Sequence, residues 1–374
     1  MLQIEEIRTL AEFEKLRDEW RELQESARAE SIFLSHAWFL VCSRCLSAGE
    51  ELLILLLRRD GRLVGAAPLI RQRVSVRHLP LTQIAFLSNA LTPFADFLLV
   101  DPDEGLHTIL KHFQTVQTAW GRLSLSKMRE DSPHRRLLEP MLGLQKATWR
   151  TAIIGSTPYL RVGGSWESFY QSKSPKFKKT RRSVTNKVER LGQVKVERLM
   201  HPEDTGAGLE EMLGVSERSW KRKHGADVLD PGFERRFFTE LTRVASSEGW
   251  LRLWLLRHED RPLACEYHLD DHGTVYALRA QYDEEYSSCS PGNYLDTHIV
   301  RYLFESGCTC YDMGPGAVDY KLAWTESSYN CFVVELYNSG LYPQIVGRME
   351  TSWIPAIKAS AFGRWLSRRR GSRS

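Results

Sequence analysis

The chain has 374 residues, of which 42% are hydrophobic and 26% are charged, and its formal net charge is +4. This length and composition are typical of a globular protein with two full cores. They exclude a disordered chain and a protein that binds polyanions through its overall charge.

The amino-terminal residues lack the basic start and apolar core of a signal peptide, and the most apolar run, residues 52–57, is too short to span a bilayer. The seven cysteines have no framework spacing, which indicates a reducing compartment. Cys42 and Cys45, like Cys308 and Cys310, lack further ligands nearby, so we predict buried thiols and no metal site. We therefore expect a cytoplasmic protein.

The first half is predicted to begin with a strand and two amphipathic helices, followed by a β-hairpin. Asp60 and Gly61 stand between two apolar runs, and Asp-Gly suits the tight turn between antiparallel strands. The predicted strands are 2–7, 51–58, 62–70, 94–100 and 122–128, the helices are 10–27, 36–46, 105–120 and 137–142, and residues 146–160 are extended.

The second half is predicted to repeat this order after a basic helix. Residues 173–190 carry eight lysines and arginines against one acid, Glu189, and the helix is broken near Ser174 and Pro175. The cations form either a solvated face or a site for phosphates. The predicted helices are 165–191, 206–221, 233–248 and one from Pro291 to Gly307, and the strands are 194–199, 250–257, 261–270, 274–282, 308–313 and 332–338.

The two predicted hairpins align with each other without gaps, which we interpret as an internal duplication. The aligned pairs are Leu52 with Leu251, Leu56 with Leu255, Leu57 with Leu256, Arg58 with Arg257 and Arg62 with Arg261. In this alignment Glu266 and His268 stand where the first hairpin has Ala67 and Leu69. The polar pair is therefore specific to the second half.

The turn Ser290-Pro291-Gly292 opens a predicted helix, and free N–H groups at a helix start suit a phosphate or pyrophosphate. The matching turn of the first half, residues 101–105, carries three acids that would repel such a ligand. We predict that the second half holds the ligand, and that the first half is structural or lines a groove for the acceptor.

A second polar loop follows the next strand, which delivers Asp312 into Gly314-Pro315-Gly316. Ligands gather where strands of α/β sheets end, so Asp312 is either functional or a cap of the turn. The same loop carries further polar and aromatic side chains: Asp319, Tyr320, Lys321 and Trp324.

Five segments give the chain a family resemblance. They are Phe33–Trp38, Arg62–Leu69, Ser174–Arg182, Ser290–Leu295 and Tyr311–Lys321. They resemble the GNAT acyltransferases, and more specifically the CelD-type acetyltransferases associated with cellulose and exopolysaccharide biosynthesis. That family is similar in turn to the Fem-type aminoacyltransferases, which have two GNAT-like domains in tandem. The chain departs from the usual GNAT phosphate loop, because its turn holds only one glycine, Gly292.

The resemblance implies an α/β fold of two tandem GNAT-like domains, each with a mixed β-sheet flanked by helices. We place a degenerate domain at 1–160, the acyltransferase domain at 161–345 and a basic helical tail at 346–374. The tail mixes aromatic and basic residues over 362–370, so it either contacts a membrane surface or polysaccharide machinery or is a frayed terminus.

The implied activity is transfer of an acyl group from acetyl-CoA or another acyl-CoA to an amine or hydroxyl of a sugar or polysaccharide precursor, without a metal. The alternatives are a Fem-like aminoacyl-tRNA-dependent transferase and an inactive scaffold. The helical-hairpin insertions that some Fem proteins use against tRNA are missing, so nucleic acid is not an expected partner. The resemblance assigns cofactor binding to Ser290, Pro291, Gly292, Asn293 and Tyr294.

Acyl transfer needs a base for the acceptor and a proton donor for the leaving thiolate. Strand alternation puts Glu266 and His268 on one face, so either is the base, unless that face is the solvated outside of the sheet. We assign the catalytic and substrate-binding roles as follows: Glu266, His268, Asp312 and Tyr320 are candidates for catalysis, and Arg279, Gln281, Lys321 and Trp324 for substrate binding. In the alternative interpretation, Arg279 and Gln281 form solvated cross-strand pairs with the acids of the neighbouring strand.

Overall fold

A computed structural model describes residues 2–116, 120–144, 147–225, 227 and 229–353. Most of the predicted basic tail at 346–374, including residues 362–370, lies outside the described residues. Within the described part, no helix combines the length and the apolar character needed to cross a membrane.

The first half has seven strands and five α-helices among its described residues. The strands are β1 (Gln3–Ile7), β2 (Glu50–Arg59), β3 (Arg62–Val76), β4 (Leu79–Phe86), β5 (Leu98–Leu99), β6 (Arg122–Arg129) and β7 (Trp149–Arg161). The helices are α1 (Leu10–Glu14), α2 (Arg17–Ser26), α3 (His36–Arg44), α4 (Pro102–Thr115) and α5 (Pro133–Gly143). The predicted helix at 10–27 is thus two helices, and the predicted strand at 94–100 shrinks to the two residues of β5.

Strand β4 was not predicted, because the turn that connects it to β3 has no recognisable sequence signal. Arg77 and His78 make the tight connection from β3 with φ of 52° and 68°, a conformation that usually selects glycine or asparagine. Pro80 also lies inside the strand, where proline is uncommon.

The second half follows the same plan. Its strands are β8 (Val194–Leu199), β9 (Leu251–His258), β10 (Arg261–Asp271), β11 (Thr274–Tyr282), β12 (Cys310–Asp312) and β13 (Ser328–Tyr337). Its helices are α6 (Trp166–Ser172), α7 (Pro175–Glu189), α8 (Pro202–Arg218), α9 (Trp220–Lys223), α10 (Pro231–Ser247), α11 (Pro291–Glu305), α12 (Asp319–Leu322) and α13 (Leu341–Arg348). The predicted break in the basic helix is confirmed between α6 and α7.

The hairpins β2–β3 and β9–β10 pair in the same register. Leu55 faces Ala67 as Trp254 faces Glu266, and both hairpins shift register at corresponding positions near their turns. The gapless alignment of the two hairpins therefore has a structural counterpart, which supports the interpretation of an internal duplication.

The described strands form one continuous mixed sheet, in the order β1-β2-β3-β4-β6-β13-β7-β12-β11-β10-β9-β8, with β5 paired to β3. The two halves exchange their last strands, because β13 pairs with β6 and β7 pairs with β12. The predicted α/β fold with mixed sheets is confirmed, although the two predicted sheets are joined into one. The predicted boundary between residues 160 and 161 stays a prediction and falls at the end of β7.

The halves also share a core on one face of the sheet. Helices α1–α3 and α8 and α10 cover this face, and their buried side chains form one cluster with β2, β3, β9 and β10. Phe33 meets Tyr276 edge to face at 4.7 Å, and Trp38 meets Phe237 at 5.9 Å. On the opposite face α4 and α5 cover the first half, whereas α7 and α11 cover the second.

Candidate active site

A gap opens in the sheet where β11 separates from β12. The two strands pair in parallel over three residues only, Thr274–Tyr276 against Cys310–Asp312, and β11 then runs on to Tyr282. The chain after β12 turns towards β7 instead, where the Met313 N–H donates to the Pro158 carbonyl oxygen at 3.0 Å. No other described strand takes the place of β12 along the rest of β11.

Glycine is required at the point of separation. Gly314 has φ of 73°, and a Cβ atom there would lie 2.7 Å from the Ala277 carbonyl oxygen. Any side chain would therefore push β11 and the polar loop apart.

A cavity of about 310 Å³ lies along the free edge of β11. It is lined from both faces of the sheet, because the unpaired edge lets it pass around the strand. Its walls are Trp220, Lys221, Cys265, Glu266, Ala280, Gln281, Tyr282, Ser287, Ser290, Gly292, Asn293, Asp296 and Tyr320.

The start of α11 forms one wall of this cavity. Ser290 adopts a left-handed conformation with φ and ψ of 57°, Pro291 takes the first helical position, and no described side chain caps the first turn. The first-turn N–H groups thus remain available to an anion. Among the residues predicted for cofactor binding, Ser290, Gly292 and Asn293 line the cavity, whereas Pro291 and Tyr294 are buried and do not.

Glu266 and His268 form a buried pair at the cavity wall. The Glu266 Oε2 atom lies 2.9 Å from His268 Nε2, and the two residues are 5% and 0% exposed. The alternative of a solvated outer face is therefore wrong, because α11 covers this face of β10. Nδ1 of His268 has no partner among the described residues.

Asp296, on the second turn of α11, joins Glu266 in the cavity and was not predicted. Its Oδ2 atom accepts a hydrogen bond from Trp324 Nε1 at 2.5 Å and lies 3.8 Å from Arg181 Nη1. Burial, reinforced by the negative charge of Glu266, raises the pKa of Asp296 to about 7. The available sequence signal was an acid placed directly after Leu295, on the buried stripe of the helix.

Asp312, Lys321 and Tyr320 divide between loop and cavity. Asp312 is buried, accepts from Tyr329 Oη at 2.6 Å and from the Gly314 N–H at 2.9 Å, and has a pKa raised by burial. Lys321 Nζ donates to the carbonyl oxygens of Gly314 and Pro315, both at 2.9 Å, and burial lowers its pKa to about 8. These two side chains hold the loop, whereas Tyr320 is 43% exposed and lines the cavity.

The other predicted substrate-binding residues have different neighbours. Arg279 is 7% exposed and pairs with Asp227 at 2.6 Å and Glu234 at 2.7 Å, so the solvated alternative is wrong for it too. Gln281 lines the cavity, and its amide oxygen can accept from Arg279 Nη2 at 2.8 Å. Trp324 is fully buried beneath the site, outside the cavity wall.

The basic helix α7 lies against the start of α11. Arg181 is 5% exposed, stacks over Trp324 at 4.6 Å and donates to the Asn293 carbonyl oxygen at 3.1 Å. Lys187 Nζ donates to the Ser288 carbonyl oxygen at 3.0 Å. The cations of α7 thus divide into a buried one that positions α11 and exposed ones on the outer face, which include Lys176, Lys179 and Arg182.

All seven cysteines are free thiols, and burial raises the pKa of Cys265 in the cavity wall to about 12. In the described ranges no cluster of three or more His, Cys, Asp and Glu side chains is arranged to hold a metal ion.

Comparison with known proteins concerns the sequence of the second half and the fold of the whole chain. Residues 175–322 match the family model of the acetyltransferase (GNAT) domain. The second half is thus similar in sequence to a GNAT domain. No curated protein matches the sequence. The CelD-type resemblance stays a prediction.

Solved structures share the fold over nearly the whole chain. FemX superposes with a TM-score of 0.56 at 13% identity, covering 91% of this chain and 100% of that one. The C-terminal domain of a putative lysylphosphatidylglycerol synthetase from Agrobacterium fabrum gives 0.54 at 11% identity, covering 95% and 98%. A tandem GNAT protein from the clavulanic acid biosynthesis pathway gives 0.52 at 12% identity, covering 89% and 98%. At these identities the likeness concerns the fold, which is that of tandem GNAT proteins.

Proposed function

We propose that this chain is an acyl-CoA-dependent acyltransferase that modifies a nitrogen or oxygen atom of a sugar or polysaccharide precursor. The observation that carries the proposal is the cavity at the separation of β11 from β12, which has the uncapped start of α11 at one wall and Glu266 at another. A thioester donor with an anionic pyrophosphate fits this combination, because an open helix start favours anions and a buried carboxylate can accept a proton.

In this proposal each wall of the cavity has one task. The first turn of α11 binds the pyrophosphate, and Glu266 accepts the proton of the acceptor while His268 fixes its orientation from behind. Trp220 and Tyr320, both partly exposed, offer aromatic surfaces on which a sugar ring can stack.

Calorimetric titration with acetyl-CoA tests the donor. We expect saturable binding at one site, weakened when the α11 start is altered. A folded protein, verified by circular dichroism, that takes up no acetyl-CoA would overturn the proposal. The acceptor is then sought by following release of the CoA thiol with a panel of amino sugars and neutral sugars, with glycerol as the control alcohol.

A Fem-like transferase that uses aminoacyl-tRNA is the second candidate, and the exposed cations of α7 favour it. Lys176, Lys179 and Arg182 lie on the outer face of a helix that contacts the cavity wall. This candidate predicts charged tRNA binding whose affinity falls steeply with salt. An affinity for charged tRNA that does not change with salt concentration would rule out this candidate.

The third candidate, an inactive scaffold, predicts that Glu266→Gln, Asp312→Asn and Tyr320→Phe all leave the biological output unchanged.

We further propose a cytoplasmic location, supported by the seven free thiols. Contact of the basic tail with a membrane or polysaccharide machinery remains a proposal from its sequence.

A further inference from the structure

Two buried carboxyl groups line the same cavity, and each has one oxygen bound and one oxygen without a partner among the described residues. Glu266 Oε2 is bound by His268, and Asp296 Oδ2 by Trp324. Neither Oε1 of Glu266 nor Oδ1 of Asp296 has a hydrogen-bond partner among the described residues, and both residues line the cavity while 5% or less exposed. Two acids in one enclosed space cannot both be ionised without cost.

Asp296 is surrounded by titratable groups of both signs. The titratable groups that act on Asp296 come from four elements: Glu266 from β10, Arg181 from α7, Tyr311 from β12, and Tyr320 and Lys321 from α12. The cations lower the pKa of Asp296, but burial and Glu266 raise it further, so that Asp296 can still hold a proton near neutral pH. Arg181 is too far, at 3.8 Å, for a short hydrogen bond that would hold Asp296 ionised.

We infer that Glu266 and Asp296 are a base and acid pair, in which Asp296 holds the proton that is delivered to the leaving sulfur. The inference rests on the proposed acyl transfer. The acceptor N–H or O–H bond breaks and its proton goes to Glu266, while the acceptor atom bonds to the acyl carbon. The bond from that carbon to sulfur breaks, and the sulfur takes the proton of Asp296. One proton has then moved from Asp296 to Glu266 overall, and its return through water in the cavity restores the pair.

The pair is tested first in the protein without donor. Infrared titration between about pH 5 and pH 9 follows the stretching band of protonated carboxyl groups. We expect the intensity of this band to fall as the pH rises, with a midpoint at about pH 7. This transition should be absent from Asp296→Asn. Glu266→Gln should lower the midpoint by about one pH unit or more, because it removes a negative charge. Persistence in Asp296→Asn of the transition with a midpoint of about 7, or a midpoint that does not change in Glu266→Gln, would overturn the acid and base pair.

Asp271→Asn is the matched control for this titration. Asp271 is a buried acid at the junction of the halves, where its Oδ2 accepts from Ser31 Oγ at 2.9 Å, and it is absent from the cavity wall. Its own band disappears in this variant, but the band that responds to Glu266→Gln must remain. Circular dichroism of each variant verifies the fold.

The acid role is tested with two donors of different leaving group. Asp296→Asn should slow transfer from acetyl-CoA by about 100-fold or more, the usual contribution of a positioned acid. The loss should fall to about tenfold or less with an acetyl thioester of an acidic aromatic thiol, which leaves without protonation. Equal losses with both donors would show a structural role and overturn the inference. A protein that binds no acetyl-CoA would refute the transfer step alone, because the infrared result stands without a donor.

Discussion

The two halves differ most in the strand that pairs with the second strand of each hairpin. In the second half this strand is unbroken, and the last residues of β11 pair with Ala264 and Cys265 of β10. In the first half the corresponding residues, Gly65 and Ala66, pair with the separate strand β5. The chain leaves the sheet after β4, runs through residues 87–97 and returns as β5. An excursion thus interrupts the first half at the place where β11 borders the cavity.

The excursion is packed as core in the first half. Phe97 is 2% exposed, and Lys127 Nζ donates to the carbonyl oxygens of Asn89 and Thr92 at 2.6 and 2.7 Å. In the second half Lys321 plays a comparable part, because its Nζ holds the carbonyl oxygens of the loop after β12. Each half therefore uses one lysine to hold a loop, but only the second half has a free strand edge beside that loop.

The helix starts differ in the same sense. In the first half the Asp101 side chain accepts from the Glu104 N–H and caps α4. In the second half Ser290 makes no such bond, and α11 begins uncapped in the cavity wall. The two halves thus share a strand order, but only the second combines an uninterrupted strand edge with an open helix start at a cavity.

The largest expected effect concerns Glu266, which occupies the position of Ala67 in the first half. Glu266→Gln should reduce acyl transfer by about 100-fold or more, because a neutral amide cannot take the proton of the acceptor. Initial rates of thiol release measure the loss, and calorimetry should show acetyl-CoA affinity within about twofold of wild type. Unchanged rates would mean that the polar second half is no more catalytic than the first.

The two loop lysines should separate stability from function. Lys127→Met and Lys321→Met each leave two carbonyl oxygens without their donor, so each should lower the free energy of unfolding by about 2 kcal/mol in urea. Only Lys321→Met should also slow transfer, by about tenfold, because the neighbouring Tyr320 lines the cavity. Equal kinetics in the two variants would contradict the distinction between the loops.

Substitutions at the starts of α11 and α4 should show that only the start of α11 affects the affinity for acetyl-CoA. Ser290→Asp places a negative charge at the start of α11, and we expect about tenfold weaker acetyl-CoA binding by calorimetry. Asp101→Ser, at the start of α4, is the matched variant and should leave the affinity unchanged. A loss of affinity in Asp101→Ser would show that the first half also binds the donor.

The smallest effect is on helix capping. Asp101→Ala should cost about 1 kcal/mol of unfolding free energy, because it removes the side-chain cap of α4. Ser290→Ala should cost less than about half as much, since Ser290 makes no cap bond to lose. Urea unfolding measures both losses of unfolding free energy. Similar losses in the two variants would indicate that Ser290 also caps its helix.

Local signals in the sequence sufficed for much of the fold. The Asp-Gly turn placed β2 and β3, apolar runs that align with this first hairpin placed β9 and β10, and Ser290-Pro291-Gly292 placed the start of α11. Strand β4 was missed because Arg77 and His78 make a turn that their residue types do not announce. The exchange of β7 and β13 was missed because pairing between distant strands leaves no local pattern.

The site was predictable only where neighbours in sequence are neighbours in space. Glu266 and His268 were found together because they alternate on one strand. Arg279 was given a ligand role because its partners, Asp227 and Glu234, come from elsewhere in the chain. Asp296 was not predicted, because the role of a single acid on an apolar helix face depends on the residues packed against it. Here these are Glu266 and Trp324, which are distant in sequence.

The exchanged last strands bear on how the chain is synthesised. Strand β6 pairs with β4 along one edge, but its other edge pairs only with β13, the last of the described strands to leave the ribosome. Until then the inner edge of β6 carries unpaired backbone groups, the kind of edge that joins readily to another chain. A nascent chain exposes this edge until β13 has been made, and two chains released together have a route to a dimer in which the final strand of each pairs with the other. Cutting the gene between the halves would yield two fragments that each lack a strand supplied by the other.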